Sequence, residues 1–78
     1  MVVDDGAGRT RHAVAVRRAD LARLDPGQLD PLRLVRASFE FLLEHEAKES
    51  ILRSFDLPVV GRYFPEYEDE IRRRLDTP

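Results

Sequence analysis

The chain has 78 residues, of which 42% are hydrophobic and 36% charged, a formal net charge of -2 and no cysteine. So short a chain holds one core at most, and area scaling lets it bury only about 60% of the surface its unfolded form exposes. Disulfides and thiolate metal sites are excluded, which leaves self-association, as a homodimer, as the common remedy for a small core. No apolar run is long enough for a signal peptide or a membrane span, so no membrane partner and a cytoplasmic location are expected.

Twelve of the thirteen basic side chains are arginine, a bias that fits a GC-rich bacterial genome and carries no functional weight. Charge is unevenly spread. Residues 7 to 18 carry Arg9, Arg11, Arg17 and Arg18 with no acid, whereas 40 to 49 is acidic. With more acids than bases overall, any contact with nucleic acid has to be local.

Along the chain, residues 1 to 9 read as a frayed tail. His12 to Val16 has the alternation of a short strand, but nothing else in the sequence reads as its partner. It is therefore expected to pair across a dimer, lie along a helix as extended chain, or not form. Ala19 to Leu24 supplies about one helical turn before Asp25-Pro26-Gly27, where Gly27 suits the positive-φ position of a type II turn. Asp30 is a fitting N-cap, Pro31 suits the first helical position, and Leu29 can staple onto Leu34. The spacing predicts a helix from 31 to about 46 with Leu32, Val35, Phe39 and Leu42 as its buried stripe. A break near Ala47 is favoured over continuation to Phe55, because Glu44, Glu46 and Glu49 crowd negative charge at a helix C-terminus. Ile51, Leu52 and Phe55 then face the core from a second helix over 49–56, which Leu57-Pro58 closes. Gly61 reads as a bend. Pro65 opens a last helix over 65–75, with Phe64, Tyr67, Ile71 and Leu75 as its apolar stripe and Glu68, Glu70 and Asp69 each four residues before an arginine.

Few groups suit catalysis. His45-Glu46-Ala47-Lys48-Glu49 has half the spacing of a zinc-peptidase helix, but the second histidine is missing and His12 is the only other one. Glu49-Ser50-Ile51-Leu52 resembles the acidic-serine-aliphatic site of carrier proteins, yet no glycine-containing loop precedes the serine. No triad or phosphate loop is present, so neither catalytic residues, a metal nor a cofactor is expected.

Two stretches bear on nucleic acid. Residues 50 to 64 resemble a helix-turn-helix, with Asp56-Leu57 as the turn and Arg62 on a short reader. Val14-Ala15-Val16-Arg17 followed by Leu21 and Leu24 is similar to the strand and first helix of ribbon-helix-helix repressors, which pair strands across a dimer. The most distinctive segment is Gly61 to Tyr67, where aromatic residues beside arginine suit a protein interface.

The sequence thus predicts an all-α bundle of three main helices, with an extended arm over 1–18 and a helical domain over 19–78. The expected function is a non-enzymatic interaction module, regulator or adaptor, presenting Arg62, Tyr63, Glu44, Glu46 and Glu49 to a protein partner. The alternative is a DNA-binding regulator using Arg9, Arg11, Arg17, Arg18 and Arg62.

Overall fold

In a computed structural model of the protein, which describes residues 1–4 and 6–76, Asp30 caps the longest helix as its position predicts. Its Oδ1 accepts hydrogen bonds from the backbone N–H groups of Leu32 at 3.0 Å and Arg33 at 3.4 Å, two donors that a helix start otherwise leaves unpaired. Asp5 of the expected tail, and Thr77 and Pro78 at the end of the expected helical domain, lie outside the described residues.

Helix α1 spans Arg18–Leu24 and α2 spans Pro31–His45. Asp20 is buried and reaches back to accept the Arg17 N–H at 3.0 Å, which fixes the start of α1. Between the two helices the chain wraps around the buried Asp25 carboxylate, which accepts from Arg33 Nη1 at 3.2 Å and from the Asp30 N–H at 3.4 Å. The positive φ falls on Leu29 (52°), whose N–H meets the Asp25 carbonyl at 2.9 Å, and not on Gly27. The expected type II turn is thus replaced by a wider one.

Helix α2 ends at His45, and Glu46 is already extended. Its buried face is Leu34, Ala37, Ser38 and Phe41, with Phe39 and Leu42 beside it. Leu32, expected in the core, is 79% exposed, and Val35 is only half-buried. The stripe is rotated because Ser38, a polar residue, lies within it.

The expected all-α bundle is overturned: the fold is mixed, with two small sheets. Strands β1 (Val2–Asp4) and β2 (Arg9–Arg11) form an antiparallel hairpin, pairing Val2 with Arg11 and Asp4 with Arg9. Strand β3 (Ala13–Ala15) pairs in parallel with β4 (Ser54–Asp56), in the register Val14 with Phe55. The N-terminal segment is therefore not an unpaired arm, and Val3 enters the core.

Strand β4 lies where the second helix was expected. That segment forms only a 3-10 turn over Lys48–Ser50, an irregular stretch and then the strand. Ile51 and Phe55 are four apart and suit a helix face, but Ser54-Phe55-Asp56 also alternates polar, apolar, polar, as a strand does. The ladder groups of β3 need partners, and β4 supplies them. Leu52, also expected in the core, is left 49% exposed. The helix-turn-helix resemblance loses its first helix by the same substitution.

A 3-10 turn over Leu57–Val59 leads into α3 (Val60–Tyr63), and α4 spans Tyr67–Asp76. Tyr67, Ile71 and Leu75 of α4 are buried as predicted, and Phe64 packs half-buried against the core. Glu68 and Glu70 reach Arg72 and Arg74 at 3.9 and 3.1 Å. The Tyr67 hydroxyl lies 2.6 Å from Ser38 Oγ, which donates to the Leu34 carbonyl at 2.8 Å, so Tyr67 is the donor to Ser38. Phe41 meets the Tyr67 ring edge-on at 5.5 Å.

Phe39 is buried between the His12 and Phe55 rings, at 5.1 and 6.2 Å. Truncation by Phe39→Ala is expected to cost about 3–5 kcal/mol, most of the stability of so small a domain, measurable by urea unfolding. Burial pushes the Tyr67 phenol up to about 12, the Ser38 hydrogen bond opposing it. The folded state thus favours the neutral phenol, so this contribution is intact below pH 10 and is lost as pH rises towards 12. Unfolding free energy is expected to fall by up to about 3 kcal/mol across that window, and the slope to disappear in Tyr67→Phe.

Candidate functional site

The C-terminal end of α2, the irregular stretch 51–53 and α3 enclose an open groove of about 210 Å³. Its apolar lining comes from the buried Leu42, Ile51 and Val60 and the half-buried Phe55, Val59 and Phe64. Leu52 and Tyr63 also line it while remaining 49% and 69% exposed, so they form its rim. Glu46 and Ser50 are its acidic and hydroxyl groups.

Local sequence explains this geometry. Extended backbone at Glu46 carries the chain off α2, and Pro58 starts the helical turn that α3 continues. The Phe64 N–H returns to the Val60 carbonyl at 2.9 Å, closing α3 as a single turn that holds Tyr63 outward. Gly61 is part of this helix and not a bend.

Of the expected partner-binding residues, Glu46 and Tyr63 come together in the groove, and the exposed Arg62 is the chain neighbour of Tyr63. The other two are engaged in ion pairs. Glu44 lies 2.7 Å from Arg74, whose pKa it helps raise above the ordinary arginine value through their hydrogen bond, and Glu49 lies 3.0 Å from the buried Lys48 ammonium. The acids of 44–49 do not form one ridge, because α2 ends among them.

Among the expected nucleic-acid residues, Arg9 pairs with Asp4 at 3.0 Å and Arg17 with Asp56 at 3.8 Å. Arg11 and Arg18 are exposed on β2 and at the start of α1. Of the two histidines, His12 is buried and His45 is exposed but stacked on neighbouring rings. His45 lies against the Phe41 and Phe64 rings at 4.6 and 5.0 Å. His12 Nδ1 donates to the Leu52 carbonyl at 2.8 Å and Nε2 meets Thr10 Oγ1 at 2.8 Å. Among the described residues, no group of three or more His, Asp or Glu side chains is placed to hold a metal ion.

Sequence reasoning missed Leu52, Phe55 and Val59 as lining residues. The one signal for Phe55 is the polar-apolar-polar order of 54–56, three residues that also fit the helical spacing of Ile51 and Phe55 and so do not decide between strand and helix. At about 210 Å³ the groove is smaller than the roughly 300–1,000 Å³ of small-molecule sites, and it suits an anchoring side chain of a larger partner.

No protein-family model, curated protein or solved structure matches the chain. No helix among the described residues is long and apolar enough to cross a membrane.

At Gly61 an added Cβ would meet only Tyr67 Cδ2 and Glu68 Oε2, at 4.0 and 3.9 Å, which is ordinary contact. Gly61→Ala is therefore expected to stabilise the domain by about 0.5–1 kcal/mol and raise its melting temperature by several degrees, as calorimetry would show.

Proposed function

We propose that the protein is a non-enzymatic cytoplasmic interaction module, a regulator or adaptor that receives an apolar anchor of a protein partner in the groove beside α3. The observation that carries this reading is the pair of exposed apolar side chains, Leu52 and Tyr63, flanking an apolar groove. A solvent-facing tyrosine beside an exposed arginine is the residue type that most often dominates binding energy, and the rim position lets Tyr63 close over an inserted side chain. Glu46 inside the groove and Arg62 beside it give the partner's flanking charges an orientation.

The test compares the wild-type chain with Tyr63→Ala and Leu52→Asp as bait in a lysate, followed by affinity measurement on the recovered protein. Both side chains are exposed, so the variants are expected to keep the wild-type circular dichroism while losing about 30-fold or more in affinity. Random duplex DNA, repelled by fifteen carboxylates, is expected to be held no tighter than about 10 µM near physiological salt. Submicromolar duplex binding that Arg17→Ala and Arg18→Ala weaken and Tyr63→Ala leaves intact would overturn the reading.

A further inference from the structure

We infer that a second copy of this chain docks on the face around Leu32, making the protein a two-fold homodimer. This face is separate from the groove beside α3, and the inference does not rest on that reading. Leu32 is 79% exposed in the first turn of α2, the most exposed of the large apolar side chains among the described residues. It stands between two clefts. One, of about 400 Å³, is walled by Val14, Val16, Pro31 and Val35 together with Met1 and Arg36, so it is mainly apolar with one charged group. The other, on the opposite flank, contains Asp30, Arg36 and Glu40.

This arrangement is complementary to itself. In a two-fold contact each residue meets its counterpart reciprocally, so a protruding group must have its own receptor on the same surface. Crossing two α2 helices in antiparallel sense about an axis between Leu32 and Val35 sets each Leu32 against the Val35 side of its partner's apolar cleft. The same operation carries Arg36 of one copy to the Asp30 end of the other. Asp30 uses Oδ1 to cap α2, but among the described residues neither it nor the exposed Arg36 has an ion-pair partner within the chain, so their opposite charges can meet across the axis. A 78-residue chain without disulfides gains from covering such a face.

Sedimentation equilibrium decides the matter, because the chain mass is 9.0 kDa and a dimer doubles it. At about 100 µM the wild-type chain is expected to sediment at twice the monomer mass, with the dimer fraction rising with concentration. Leu32→Asp and Arg36→Glu are each expected to return the mass to that of the monomer with unchanged circular dichroism, whereas Leu43→Asp, on an exposed part of α2 outside both clefts, keeps the dimer. Should Leu32→Asp disturb folding, Arg36→Glu decides alone, since its side chain is exposed. A monomeric wild-type chain overturns the inference and leaves the face to a different protein or to water. A dimer that withstands Arg36→Glu and a folded Leu32→Asp overturns it equally, because its interface then lies elsewhere.

Discussion

The hydrogen bond from Tyr67 to Ser38 governs how the helices sit together. A tyrosine hydroxyl in an apolar core costs several kcal/mol unless it finds a partner, and here it finds a serine on α2. Ser38 in turn relies on the Leu34 carbonyl, so its own hydroxyl is satisfied without leaving the helix. Satisfying that chain of donors fixes the rotation of α2 about its axis. Leu34, Ala37 and Phe41 then turn inward with Ser38, and Leu32 turns out to solvent. A choice made in the interior thus determines which surface the protein offers.

The second constraint is the buried His12. Its ring bridges the N-terminal hairpin to the Leu52 carbonyl and lies against Phe39, joining both sheets to the central helix. With the Leu52 carbonyl held inward, its side chain is directed to the groove rim. The same region that anchors the N-terminal strands therefore shapes the proposed partner site.

Legibility in the sequence followed how local each determinant is. Asp30, Pro31 and the Tyr67-Ile71-Leu75 stripe act within a few residues, and the helices they define match the spacing. Strand β4 was illegible because its formation depends on β3, about forty residues away, and a three-residue strand has no periodic signal strong enough to compete with the helical spacing of Ile51 and Phe55. The fold class turned on that one pairing. In the candidate site, Tyr63 and Arg62 were readable as an exposed aromatic-arginine pair, whereas Leu52 was not, since its exposure follows from a strand register. The acidic run was misleading for the opposite reason: Glu44 and Glu49 find partners in Arg74 and Lys48, which proximity in sequence reveals only for Lys48.

The parallel register of β3 and β4 also orders the events of folding. Ala13 meets Ser54 across the whole of α1 and α2, so the pairing closes a loop of some forty residues before it gains a single ladder bond. Contacts within the helices and across the short 64–67 corner close far smaller loops and have a kinetic head start. The segment bearing Leu52 and Phe55 is consequently secured late, once α2 already offers Phe39 as a surface to condense on. It is held by the two-stranded ladder, the Phe39–Phe55 ring contact and the His12 hydrogen bond to the Leu52 carbonyl, contacts that a local opening would break together. A partner seated against this wall would hold the ladder shut, and occupancy of the groove would be read at the N-terminus as slower exchange of the β3 amides.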